Sequence, residues 1–460
     1  MKNLFLNILF TLCSITALTS CGSNDDGTAD SSQYDQYGTP FSNMPQPKDA
    51  IIYQVNLRAF SAEGTINGVR ERLEHIQSLG ANVIYLMPIY PVGVLNSVGE
   101  LGSPYSVRDY KSVGAEYGTL QDLRALVDEA HSMNMAVILD WVANHTSWDN
   151  AWITEHPEWY LKDEDGNITP PPGTGWNDVA QLDFDNTEVR EAMIDAMCYW
   201  VYNANIDGFR CDYADGVPQT FWADAVSTVR SIKNQEMLML AEGTRNNHFN
   251  ADFDYTFGFR YFDALKNVFS EGEPASSLQN ANAEEYANNY NNDDRIVRYT
   301  TNHDVNITDG SPIELFGGKP GSMATFVVTA YMKSIPMIYN GQEIGYAPRI
   351  PFFNQTPIDW STADADIFAQ YQQIIDFRKN SEAIKTGVYN GYSSNAISAF
   401  TMKTDTDTVL VLSNLTNGNV NYTVPPSLVG DSWINAFTDQ SMALSSQIAL
   451  SPYEYIVLKK

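Results

Sequence analysis

The chain has 460 residues, too many for one ordinary core and enough for a barrel plus a smaller module. Its 43% apolar and 18% charged residues are those of a folded protein rather than a disordered one. Asp and Glu number 56 against 27 Lys and Arg, a formal charge of −29 that excludes nucleic acid as a partner, whereas a neutral substrate meets no such barrier.

Residues 1–21, MKNLFLNILFTLCSITALTSC, place Lys2 ahead of an apolar stretch too short to span a bilayer, the pattern of a signal peptide. The ending Leu18-Thr19-Ser20-Cys21 resembles a bacterial lipobox. That implies cleavage before Cys21, lipidation of its sulfur, and a lipid anchor to the membrane at the cell envelope, with the outer membrane and cell surface as the expected destination. A plain secretory signal is the alternative. Residues 22–47 are polar and poor in aliphatics, so they read as a flexible tether. Only Cys198 and Cys211 remain in the body, too few for a disulfide framework and expected as free buried thiols.

From about residue 48, strand and helix patterns alternate. IIYQVNLRAF (51–60) reads as a strand, followed by an amphipathic helix closed by Gly80. VIYLMPIY (83–90) precedes a helix for which Thr119 is the N-cap. AVILDWVANH (136–145) is the third strand. A helix beginning near residue 188 feeds IDGFRCDYA, and another feeds MLMLAEG (237–243). FDYTFGF (253–259), IVRYTTNHD (296–304) and PMIYNGQEIG (336–345) supply the remaining three. Continuous apolar strands separated by helices predict a parallel sheet covered on both faces, and eight such units predict an α/β fold, a closed (β/α)8 TIM barrel over 48–384. No G-x-G-x-x-G follows the first strand, which removes the main support for an open dinucleotide-binding sheet. Residues 146–180, rich in Trp, Pro and Gly, are an insertion after strand three. After about 385 the pattern changes to period-2 alternation, predicting a C-terminal antiparallel β-sandwich over 385–460.

Polar residues fall where the strands run out: Asp140, Asn144 and His145 after the third, Arg210 and Asp212 on the fourth, Glu242 after the fifth, His303 and Asp304 after the seventh. In such a barrel the C-terminal strand ends share one face, so these side chains converge. Arg210 and Asp212, two apart on one strand, point the same way, which is costly in a core and useful in a site. A structural ion pair is the plainer reading of Arg210 and Asp212, and an ordinary strand-end residue that of His145.

Four short stretches in order, DWVANH (140–145), GFRCD (208–212), AEG (241–243) and TNHD (301–304), resemble the α-amylase family of glycoside hydrolases, with PYSVRDY (104–110), QLDFDN (181–186) and IPMIYNGQEIG (335–345) in support. The resemblance implies a retaining hydrolysis of α-1,4-glucosidic bonds in an α-glucan such as starch, glycogen or maltooligosaccharides, which needs one carboxylate to attack and one acid to protonate the leaving oxygen. By position it makes Asp212 the nucleophile, Glu242 the general acid and then base, and Asp304 the third acid, which favours the transition state. It gives Arg210, His145 and His303 to substrate binding, Tyr105 to an aromatic platform beneath the sugar, and Asp109 to a structural role beside Tyr105. Asp140 is read as architectural, holding strand three to Arg210.

The chain departs from the family at two places. Asn144 matches an asparagine that often ligates a structural Ca²⁺, but Gln181 stands where a second, acidic ligand is usual, so a weak site or none is expected. No cofactor is required for the chemistry. Beyond the nucleophile, Asp215 and Gly216 replace a common Lys-His pair, leaving α-1,4 cleavage, α-1,6 or short-oligosaccharide hydrolysis and glucosyl transfer open. A glycan-binding protein without catalysis is the alternative of another class. The tryptophans of the insertion, Trp148, Trp152, Trp159 and Trp176, are either a small core or platforms for sugar rings.

Overall fold

The computed structural model describes residues 34–232, 237–287, 294–430 and 432–460. The signal peptide, the lipobox with Cys21 and the first part of the tether lie outside the described residues. Among those described, no helix is long and apolar enough to cross a membrane.

Eight parallel strands close into a barrel: β1 Ile52–Val55, β2 Val83–Leu86, β3 Ala136–Trp141, β4 Gly208–Cys211, β5 Leu238–Ala241, β6 Tyr255–Phe257, β7 Arg295–Arg298 and β8 Ile335–Tyr339. They follow chain order around the ring, and β8 returns to pair with β1. Every residue of these strands is buried, which is why most read as near-continuous apolar runs rather than alternating ones, broken by polar residues such as Gln54, Asp140, Arg210, Arg295 and Arg298. The helices between them start and stop where their residues dictate. Thr119 and Asp122 form a reciprocal capping box at the head of Leu120–Ser132. Asn186 caps Thr187–Ala204, which ends at Asn205 in the left-handed region, φ 57°. Gly80, φ 98°, closes Leu73–Leu79.

All eight observed strands are shorter than the expected ones, and β1, β3 and β7 show where the chain turns away. β1 stops at Val55 and Leu57–Phe60 turns into helix; β3 stops at Trp141; and the chain leaves β7 at Arg298, so that His303 opens a helix, His303–Thr308, rather than ending a strand. The cause is local in the last case: Asn302 Oδ1 accepts from the backbone N–H groups of Asp304 and Val305, the signature of a helix start.

The tether requires correction. Residues 34–47 are packed along the outside of the barrel, not free. Tyr37 N donates to Tyr202 O (2.8 Å), Asn205 Nδ2 donates to Thr39 O (2.9 Å), and Phe41, 6% exposed, stacks on His131 with centroids 4.5 Å apart. Composition misled because three aromatics in a polar stretch are enough to dock it onto an already formed surface.

The insertion is a small layer on the barrel mouth. Strands His145–Ser147 and Val179–Gln181 pair antiparallel, and Trp152, Trp159 and Tyr110 pack beneath. At the C-terminus, strands Val388–Gly391, Ile397–Lys403, Thr408–Asn414, Ser432–Asn435, Ser441–Ala443 and Tyr455–Lys459 form one antiparallel sheet, with Val420–Thr423 and Gln447–Leu450 as a second pair. Period-2 alternation explains how both faces are buried: Val409 and Val411 pack toward the barrel, while Leu410 and Leu412 face a separate core with Tyr422, Trp433 and Leu450.

Candidate active site

β3 and β4 pair in a register that sets Asp140 directly beside Arg210. The close approach of β4 to β5 depends on Gly208: a Cβ there would meet Leu238 O at 1.9 Å, at φ 155°. Arg210 is fully buried and faces three carboxylates. Its Nη1 donates to Asp140 Oδ1 (2.7 Å) and to Asp212 Oδ1 (2.8 Å), and its Nη2 lies against Glu242 Oε1. Glu242 Oε2 in turn accepts from the backbone N–H of Tyr213 (2.8 Å). Burial raises the pKa of Asp212 well above the usual carboxylate range; Arg210 opposes the shift and the neighbouring carboxylates reinforce it. Asp140 is raised by burial too, with Arg210 and the Tyr85 hydroxyl opposing.

Asp140 is a hub as well as a wall. Its Oδ2 accepts from Tyr85 (2.5 Å) and from Tyr105 (3.0 Å). The Tyr105 hydroxyl also meets His303 Nε2 at 2.6 Å, and His303 Nδ1 accepts from Gln54 Nε2 at 2.8 Å. That leaves Nε2 as the protonated nitrogen, donating to Tyr105. Desolvation lowers both His145 and His303 to about 4, so each is a neutral donor at any higher pH.

These side chains open on a cavity of about 640 Å³, lined among others by Tyr105, His145, Asp212, Glu242, His303 and Asp304. Seven of the sequence-predicted residues, the six just named and Arg210, are thus brought together, with Asp140 beneath them. Asp109 is not among them: it is exposed and caps its own loop, accepting from Lys111 N (2.9 Å) and the Ser112 hydroxyl, which leaves it no role beside Tyr105. A carboxylate four residues from Tyr105 is close in sequence, but the loop turns it outward.

Asn144 stays near the site without the donors a cation needs. Its backbone oxygen accepts from Leu182 N (3.1 Å) and Gln181 Nε2 (3.0 Å), and its Oδ1 accepts from the same Gln181 nitrogen (3.1 Å). The Gln181 amide, which also donates to Leu182 O (3.0 Å), fills the point where these oxygens converge. Ca²⁺ requires six to eight oxygens, usually with carboxylates among them. The residues present do not fit it. The one grouping of metal-ligating side chains among the described residues, His156, Glu158 and Glu188, lies elsewhere.

Sequence reasoning missed the far wall and part of the floor. Phe352 and Phe353 line the cavity from the loop after β8, and Leu101 N donates to Phe353 O (3.0 Å), tying that loop to the one after β2. Neither carries a chemical motif, so only burial against the mouth could reveal them. Trp176 resolves one open reading, since it lines the cavity whereas Trp159 is core.

The comparisons agree with this geometry. The family model described as Alpha amylase, catalytic domain, matches residues 22–170 and 174–361. Alpha-amylase 3 of Dictyoglomus thermophilum is 27% identical over 368 residues, 72% of this chain and 70% of that protein. An alpha-1,4-glucan:maltose-1-phosphate maltosyltransferase of Rhodospirillum rubrum is 28% identical over 68% of this chain, which spans about half, 48%, of that protein. The crystal structure of an alpha-amylase from Lactobacillus plantarum superposes with a TM-score of 0.81 at 28% identity, covering 90% of this chain and 99% of the other. A closed eight-stranded barrel, a carboxylate cluster at its mouth and a family match over most of its length lead to one conclusion: the chain belongs to the α-amylase family of glycoside hydrolases.

Proposed function

We propose that the protein is a retaining hydrolase of α-1,4-glucosidic bonds in neutral α-glucans. The observation that carries this reading is the sharing of one guanidinium, Arg210, by Asp212 and Glu242 at the wall of a single cavity. That sharing supports the short carboxylate spacing of a retaining pair, about 5–5.5 Å, over the roughly 6.5–9.5 Å of an inverting one.

In the first step Asp212 Oδ attacks the anomeric carbon while the C–O bond to the leaving sugar breaks, and Glu242 gives its proton to the departing oxygen. In the second, Glu242 takes a proton from water, whose oxygen attacks the same carbon and releases Asp212. Arg210 holds the nucleophile aimed and balances its charge until the ester bond forms, and thereafter balances the charge left on Glu242. Asp304, exposed at the cavity mouth, stabilises the positively charged sugar ring in the transition state, while His145 supplies a neutral donor to its hydroxyls and His303, committed to Tyr105 and Gln54, fixes the Tyr105 ring.

The lining also bears on which relatives this chain follows. Five acids, Asp178, Asp212, Asp215, Glu242 and Asp304, line the cavity, and no Lys or Arg does so among the described residues. Arg245 nearby is neutralised by Asp215 (3.1 Å). A phosphate dianion placed there would face net negative charge, so this lining favours an unphosphorylated glucan over a phosphosugar.

Asp212→Asn tests the mechanism. Release of reducing ends from amylose and maltotriose is expected to fall by roughly 10⁴-fold or more with thermal unfolding unchanged. An unaltered rate would remove Asp212 from the reaction.

A further inference from the structure

Asp215 lines the cavity three residues beyond Asp212, yet its carboxylate is taken up by donors of the protein itself. Oδ1 accepts from His248 Nε2 (2.7 Å) and Arg245 Nε (3.1 Å), and Oδ2 from the backbone N–H (3.0 Å) and hydroxyl (3.3 Å) of Thr244. These donors all lie in 244–248, just beyond Glu242, whereas Asp215 belongs to the loop after β4. The two loops are joined twice more: Ala214 N donates to Glu242 O (2.9 Å), and Arg245 Nη2 donates to Ala214 O (3.3 Å). His248, 1% exposed, is seated edge to face on Phe253 with centroids 5.6 Å apart. Gly243 makes the meeting possible, since a Cβ there would come within 2.5 Å of Asp215 Oδ1 and 2.7 Å of His248 Nε2. Burial pushes the Asp215 carboxyl up, but bonds from His248, Thr244 N–H and Arg245 hold it well below the usual carboxylate range. It stays an acceptor where ordinary carboxylates take up protons.

Between the two loops stands Glu242, whose Oε2 accepts from Tyr213 N–H (2.8 Å), two residues before Asp215. That donor comes from a strained backbone: Tyr213 has φ 41° and ψ 46°, the left-handed region, with a bulky ring. Such strain persists only where the surroundings over-determine it. The Tyr213 ring meets Trp176 edge to face across the cleft, centroids 5.0 Å apart, and its backbone runs from Asp212 straight into the Asp215 bonds. We propose that Asp215 is a positioning residue for Glu242: its carboxylate fastens the loop after β5 to the loop after β4, and so fixes how far the Glu242 carboxyl stands from the leaving oxygen. This rests on the reading of Glu242 as acid and then base given above. The lever is geometric, since a shift of about 1 Å at a reacting group costs on the order of 10²-fold in rate. Asp215 itself touches no reacting atom; it acts through the backbone that carries the acid and its amide partner.

The test uses two substrates of similar size in the full chain, 4-nitrophenyl and 4-methoxyphenyl α-maltoside. The first leaving group departs as the anion, whereas the second needs the proton of Glu242. Asp215→Asn keeps the side chain's size but puts hydrogens on one of its two acceptor atoms. It is expected to lose at least about tenfold more in kcat/KM on the methoxyphenyl than on the nitrophenyl substrate. Added azide is expected to speed its turnover of the nitrophenyl substrate and to be recovered as α-maltosyl azide. There the azide nitrogen attacks the anomeric carbon as the bond to Asp212 Oδ breaks, a step that needs no base. His248→Ala is expected to follow Asp215→Asn, and His248→Gln, whose amide nitrogen replaces Nε2, to keep the wild-type ratio. This second pair decides the matter should Asp215→Asn fail to fold. Equal losses on the two maltosides, or no azide product, would overturn the proposal and leave Asp215 a residue of the fold or of sugar binding alone. A wild-type protein inert on both maltosides and on amylose would overturn the hydrolytic reading itself, and the role of Asp215 with it.

Discussion

Arg210 shows how much depends on single residues at the mouth of the barrel. One cation with no exposed surface is placed among Asp140, Asp212 and Glu242, an arrangement no core would tolerate unless the charges were paired. The two histidines beside it carry the opposite lesson. Burial holds His145 and His303 near 4, below the 6.5 of an exposed imidazole, so the unfolded chain binds protons that the native state refuses between those values. Stability therefore falls as pH drops from 6.5 toward 4, by on the order of 3 kcal/mol for each imidazole, and the loss from this source is complete below both values. Urea unfolding at pH 6.5 and 4.5 checks this, and the drop is expected to be smaller in His303→Gln than in the parent. An equal drop in the two proteins would assign the pH dependence to other groups.

Among the elements, the segment over 34–47 behaves least as its composition suggests. Phe41 stacks on His131, and the Arg124 guanidinium lies 4.2 Å from the centroid of the Tyr37 ring. Tyr34 donates to Asp195 (3.0 Å), so three aromatics fasten the segment to two helices, Leu120–Ser132 and Thr187–Ala204. Phe41→Ala is expected to lower the free energy of unfolding by about 3 kcal/mol, as for other buried phenylalanines. A free tether would show a change within about 0.5 kcal/mol.

For the molecule as a whole, the junction between barrel and insertion decides how the cavity is closed. The amides of Asn144 and Gln181 bond reciprocally across it, Asn144 Nδ2 to Gln181 Oε1 at 2.9 Å and Gln181 Nε2 to Asn144 Oδ1 at 3.1 Å, both residues being buried. Neutral donors and acceptors so satisfied need no cation. A chelator is accordingly expected to leave both the melting temperature and the rate on maltotetraose unchanged. A chelator-induced fall in melting temperature, reversed by Ca²⁺, would show that a cation shares the junction.

The amino-acid sequence alone determined the eight strands, the Thr119 cap and the C-terminal change to period-2 alternation, because each leaves a local mark in periodicity or cap chemistry, while Asp212, Glu242 and Asp304, which line one cavity, were legible through motifs that resemble a family. Only the tertiary structure decided that Asp109 turns away, that residues 34–47 are docked, that Gln181 fills the space beside Asn144, and that Tyr213 meets Trp176 across the cleft. Those outcomes depend on contacts between residues distant in the chain and on which way a loop turns. A short stretch of residues specifies neither until the barrel has closed around it.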